Sequence, residues 1–132
     1  MDELLAPPDV EPAVVAILTT EGGPWVGTEY EDHATGSIRI SATGGPRPVD
    51  RVVTESTVLV ECWHDDEAVA WAIAQRAWAE LGRSAGSTVA GVDIKQVSST
   101  MPNNNPDVNR QGLVRFQFLA SISSRLVPLE AP

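Results

Sequence analysis

Apolar residues recur along the chain with two different periods, and the period decides each predicted element. In "DVEPAVVAILTTEGG", Val10, Val14, Ile17 and Leu18 fall on one helical face, with Asp9 or Glu11 as cap, Pro12 in the first turn and Gly22-Gly23 as the stop. "PWVGTEY" reads as a short strand, and "SIRISA" alternates Ile38 and Ile40 with Arg39 and Ser41, as a half-buried strand does. After the turn-formers "TGGPRPVD", residues 52–63 form a long strand. Ser56, Val58, Val60 and Cys62 share one side of it; Thr57, Leu59, Glu61 and Trp63 share the other.

A helix follows from about Asp66 to Leu81, closed by Gly82. "RSAGSTVAG" reads as a small-residue linker, residues 92–99 as a weaker strand, and "MPNNNPDVNRQG" as a polar, turn-rich loop. The last strand has the clearest alternation: Val114, Phe116, Phe118, Ala120 and Ile122 against Arg115, Gln117, Leu119 and Ser121. The order is α-β-β-β-α-β-β. It predicts an α+β fold: a mostly antiparallel or mixed sheet of four to five strands with two helices packed on one face, in one domain over residues 1–132.

Charge changes the picture more than composition does. The formal net charge is -9, and residues 1–32 hold eight acids and no Lys or Arg, so nearly all of the acidity belongs to the N-terminal quarter. Arg47 and Arg51 form the single local cationic cluster, far short of what displacing counterions from nucleic-acid phosphates requires. Sequence-specific DNA binding is therefore not expected. One cysteine makes no intramolecular disulfide, no basic-then-apolar leader opens the chain, and no apolar run reaches bilayer-spanning length. A soluble protein in a reducing compartment is expected, without membrane contact.

"VLVECWHDDEAVAWAIAQRAWAELG" brings the only cysteine, Cys62, beside His64, Asp65, Asp66 and Glu67. A borderline metal accepts sulfur, nitrogen and oxygen, but no further Cys or His stands at a usual ligand spacing, and His33 sits in a separate turn. Cys-His nucleophilic catalysis would need the two side chains to meet. Cys62 instead alternates with Val58 and Val60 as a small core residue, and the turn into the helix carries His64 away. Helix capping accounts for every residue here: Asp65 as N-cap, Asp66 and Glu67 in a first turn where the dipole favours negative charge. The glycine pairs lack the context of a phosphate loop, and Glu29, Glu31 and Asp32 read as solvated surface. No catalytic residue, metal or cofactor is expected.

The surface of the second helix is the exception to this plain reading. Val69, Ala70, Trp71, Ile73, Ala74, Ala77, Trp78 and Leu81 fill an arc of roughly 200°, wider than packing on one sheet needs. Trp71 and Trp78 mark the edge of that arc beside Gln75. Trp there either covers the sheet's margin or anchors a subunit contact.

"SIRISATGGPRPVDRVVTESTVLVECW", the Ala-rich helix "EAVAWAIAQRAWAELG" and the late strand "VRFQFLASIS" on a short acidic chain resemble the tail terminator (tail completion) proteins of long flexible-tailed bacteriophages, the siphophages, especially those of actinobacterial hosts. The resemblance covers nearly the whole chain and rests on order, spacing and composition. It implies a structural, non-enzymatic viral protein at the head-proximal end of the virion tail, assembled in the host cytoplasm. Its partners would be other copies in a ring, typically a hexamer, the tail tube protein below and a head-completion or neck protein above, with DNA only as passing cargo. Head-closure and other neck or connector proteins are the neighbouring possibilities; a non-viral adaptor or ligand-binding domain is the alternative of another class. Candidate interface residues are Trp71, Gln75 and Trp78 on the helix, Arg47 and Arg51 in one polar loop, and Asn103, Asn104 and Asn105 in the other. Across a head-to-tail ring junction, Arg47 and Arg51 would meet the acidic N-terminal segment of a neighbour.

Overall fold

The computed structural model describes residues 4–45 and 53–129, so Arg47 and Arg51 lie outside the described residues. In chain order the elements are β1 (Leu5–Ala6), α1 (Val10–Leu18), β2 (Trp25–Gly27), β3 (Ser37–Gly44), β4 (Val53–His64), α2 (Glu67–Arg83), β5 (Thr88–Val89), β6 (Val92–Ser99), β7 (Asn103–Asn104), β8 (Val114–Arg125) and β9 (Val127–Pro128).

β4 and β8 pair antiparallel over their whole length, from Val53 opposite Arg125 to His64 opposite Val114, and form the centre of the sheet. The seven-stranded order is β2-β3-β4-β8-β6-β5, with β7 also on β8; β1 and β9 form a separate two-stranded ribbon. Among the described residues, β2 alone runs parallel to its neighbour, β3; the other pairings are antiparallel. The class is therefore α+β with a mostly antiparallel sheet. There are more strands than the four to five expected, because β1, β5, β7 and β9 span two residues each and two residues carry no alternation to read.

Alternation assigns the two faces of the sheet. Ile38, Ile40, Val58, Val60, Cys62, Phe116, Phe118, Ala120 and Ile122 point to one face and are buried there with Val10, Ala13, Val14 and Leu18 of α1 and Ala70, Ala74, Ala77 and Leu81 of α2. On the opposite face, cross-strand rows place Ser37 beside Trp63 and Arg115, and Arg39 beside Glu61 and Gln117.

Local chemistry sets the helix ends, in places one or two residues from where the sequence put them. Asp9 caps α1 by accepting from the Glu11 N–H at 3.2 Å. β4 runs on to His64, and this shifts the next cap from Asp65 to Asp66, whose carboxylate accepts from the Val69 N–H at 3.1 Å. Gly82 does not stop α2. The helix continues to Arg83 because Ser84 satisfies the last turn, donating from Oγ to the Leu81 carbonyl at 2.6 Å.

Three other expectations change. "RSAGSTVAG" is no linker: it holds β5 and a two-residue turn, Ala90-Gly91, in which both residues have positive φ, as a tight hairpin of this hand requires. The strand expected over "PWVGTEY" shrinks to three residues, and the chain after it crosses the outer face of the sheet, where Tyr30 meets Trp63 edge-on at 4.9 Å. Within the polar loop, Asn103 and Asn104 pair with Gln117 and Phe116 as β7.

Candidate functional site

The core-facing stripe of α2 is narrow. Ala70, Ala74, Ala77 and Leu81 are its buried residues, and three of these four are alanines, so the helix lies close on the sheet and its larger apolar side chains fall to either flank. Val69 and Trp78 remain 39% and 38% exposed, while Trp71 and Ile73 are half-buried.

Two apolar grooves run along these flanks. The first lies between α2 and the end of α1, walled by Leu18, Pro24, Ile38, Val69, Ile73 and Ala77, with Arg76 and Glu80 also lining it. The second is walled by Trp71, Gln75, Trp78, Ala79, Met101 and Pro102. Ala72 and Arg76 border both, so α2 forms a ridge between two apolar furrows. Trp71 is fixed by an edge-to-face contact with Phe116 at 5.3 Å, and Trp78 by donation from Nε1 to the Thr100 carbonyl at 3.2 Å. The indole bodies are held in place with one side turned outward, which reduces the entropy cost of docking against them.

Among the other sequence candidates, Asn105 donates its N–H to the Arg115 carbonyl at 2.9 Å, and its own carbonyl accepts from the Arg115 guanidinium Nε at 2.7 Å; Asn103 and Asn104 are exposed on β7. The loop that carries them starts at the second groove, where Met101 and Pro102 stand with Trp71 and Trp78, and is tied at Asn105 to Arg115. Arg47 and Arg51 are not placed with any of these, as they lie outside the described residues.

Cys62 and His64 do not form a reactive pair. Cys62 is fully buried, and this burial, with the nearby Glu61 charge adding to it, pushes its thiol far above the ordinary range, the reverse of what a nucleophile needs. His64 Nδ1 accepts the Asp66 N–H at 2.9 Å, with Asp65 Oδ1 3.0 Å away, and so belongs to the helix start. Among the described residues, no group of three His, Cys, Asp or Glu side chains is arranged to hold a metal ion. His33 stacks parallel on Trp25 and meets Glu31 at 3.2 Å.

The outer face carries a cluster that sequence reading missed. Glu61 is buried, with Arg115 Nη1 at 2.9 Å from one carboxylate oxygen and Arg39 Nη1 at 3.7 Å from the other. Asp107 pairs with Arg110 at 2.7 Å and lies 3.9 Å from Arg115, and Arg110 covers the Tyr30 ring at 4.0 Å beside Trp63. A hydrogen bond from the Asn109 N–H, then the Arg110 guanidinium, hold the Asp107 carboxyl below the usual range; burial, then the Asp32 charge, raise the Tyr30 phenol. The signal was available as Arg39, Glu61 and Arg115 on the polar sides of three strands. Only the register, which aligns Arg39 with Glu61 and puts Arg115 one row along, shows that they meet. The cluster clamps residues 28–36 and 105–113 over the sheet, with three arginines paired to two carboxylates.

No protein-family model matches the chain, and a search of the curated proteins finds no relative. Among the described residues, no helix is long and apolar enough to cross a membrane.

Proposed function

We propose that the protein is a structural subunit that assembles into a ring and ends the growth of a siphophage tail tube. The observation that carries this reading is the surface of α2: a helix whose apolar side chains exceed what its own sheet covers, leaving rigidly held tryptophans beside two apolar grooves. The order and composition of the chain, which resemble those of tail terminators, support the same reading. Copies meeting head to tail would close into a ring, typically of six, seated on the last tube ring and presenting its other side to a head-completion protein. Such a role needs no reacting group, only surfaces: one for the neighbour, one for the tube and one for the head. Acidic residues left facing the channel would keep passing DNA from adhering.

The reading predicts that the purified chain gains mass in discrete multiples as its concentration rises, and that Trp71→Ser with Trp78→Ser weakens this self-association about tenfold or more, as loss of interface anchors does. Native mass spectrometry and thermal melts together test it. Assembly lost while a cooperative melt persists supports the subunit contact. Unfolding of the double variant with normal assembly of each single variant would assign both side chains to the fold alone.

A further inference from the structure

The two described ends of the chain are joined to each other. β1 and β9 pair as Leu5 with Pro128 and Ala6 with Val127, and the Leu129 N–H donates to the Leu4 carbonyl at 2.8 Å. Each ribbon strand packs chiefly against the other. This ribbon groups three exposed leucines, Leu4 at 70%, Leu5 at 46% and Leu129 at 61%, into one apolar patch.

We infer that this leucine-tipped ribbon is the plug of a head-to-tail contact and that it seats in the groove between α1 and α2 of a second copy of the chain; the inference rests on the ring reading above. Three observations favour a second copy as the occupant. Plug and groove are both apolar and of matching kind, leucines against Leu18, Ile38, Val69 and Ile73. They also lie at opposite ends of the sheet. The ribbon continues from Arg125, while groove residue Ile38 pairs with Cys62, itself opposite Phe116, so about 30 Å of β8 separates them at the rise of an antiparallel strand. One subunit therefore cannot fill its own groove, and two unlike patches on one body generate a repeating contact that closes into a ring or runs on as a filament. Charge agrees with this placement. Leu4 and Leu5 belong to the N-terminal segment of eight acids and no bases, and Arg76 on the groove forms no ion pair among the described residues.

Cross-linking tests the contact directly, because the native Cys62 is fully buried and inert. Leu5→Cys and Val69→Cys chains are mixed at high concentration with a short bis-maleimide, beside a control mixture of Leu5→Cys with Val108→Cys, whose position is 84% exposed. The expected result is a covalent dimer from the first mixture only, and a ladder that ends at the ring size from a chain bearing both Leu5→Cys and Val69→Cys. Replacing Leu4, Leu5 and Leu129 with serine should lower self-association about tenfold or more without moving the melting curve, since none of them contributes to the core. Equal cross-linking to Val108→Cys, or none at Val69→Cys, overturns the plug. If native mass still shows rings in that case, the ring reading survives without it. If the ladder closes but tail tubes grow unchecked in its presence, the plug stands and the tail-terminating role fails.

Discussion

Glu61 is a buried acid held between two arginines of neighbouring strands. Its carboxylate is buried on the outer face between Arg115 and Arg39, so Glu61→Gln removes the nearest counter-charge of both, leaving Arg115 with Asp107 alone, and is expected to cost about 1–3 kcal/mol in urea unfolding. Replacing Glu61 and Arg115 together by methionine should recover part of that loss, because the buried acid and its nearest cation leave together, while the Arg39 side chain, 42% exposed, is left to water. Cys62 gives a second test at this scale, with a pH signature. Burial raises its thiol in the folded state, so the unfolded chain releases that proton at lower pH; the stabilisation is complete below the ordinary thiol pKa of about 8.5 and declines as pH rises above it. Cys62→Ala should lower stability by about 1 kcal/mol near neutrality and flatten the alkaline decline, as followed by melting from neutral to alkaline pH. Retention of the full alkaline slope in Cys62→Ala would assign it to other groups.

At the scale of elements, the legible parts of the sequence were those with long periods. β3, β4, β6, β8 and both helices were set by runs of alternating or helical apolar positions, and the face assignments within β4 and β8 follow from parity alone. What parity does not encode is register and pairing partner. Glu61 looked like an ordinary solvent-facing residue of a strand until the register set it beside Arg39 and Arg115, and "PWVGTEY" could not show that only Trp25–Gly27 would find a partner. Helix ends missed by a residue or two for a local reason: Asp65 and Asp66 are equally good caps in sequence, and the extra strand residue at His64 chose between them. Of the candidate site, the wide apolar arc of α2 was readable, whereas its division into two grooves depends on α1 and on residues 100–102. The junction of these elements is tested at Gly36. Its φ is +99°, and a Cβ there would stand 2.6 Å from Ile73 Cδ1 and 3.0 Å from the Trp63 carbonyl. Gly36→Ala should therefore destabilise by more than about 1 kcal/mol in a denaturant titration and loosen the wall of the first groove.

For the whole molecule, the distribution of apolar surface and charge matters more than any one side chain. Among the described residues, the core is closed by two helices on one face, the outer face is covered by the ionic cluster, and exposed large apolar side chains remain on α2, on the terminal ribbon and at Met101, Val108 and Leu119. Salt should separate the contributions of these features to assembly: an apolar contact strengthens as salt rises, whereas pairing of the acidic N-terminal segment with Arg76, or with Arg47 and Arg51, weakens under screening. Arg47→Glu with Arg51→Glu reducing assembly at low salt, and not at high salt, would mark that ionic share. The central claim is that the assembled protein stops a tail tube, and tube length measures it most directly. Tail-tube protein from the same genome, polymerised with increasing amounts of this chain and imaged by electron microscopy, should give progressively shorter tubes, each with added ring density at one end. Tubes of unchanged length and bare at both ends, at chain concentrations where the protein itself is assembled, would contradict the account.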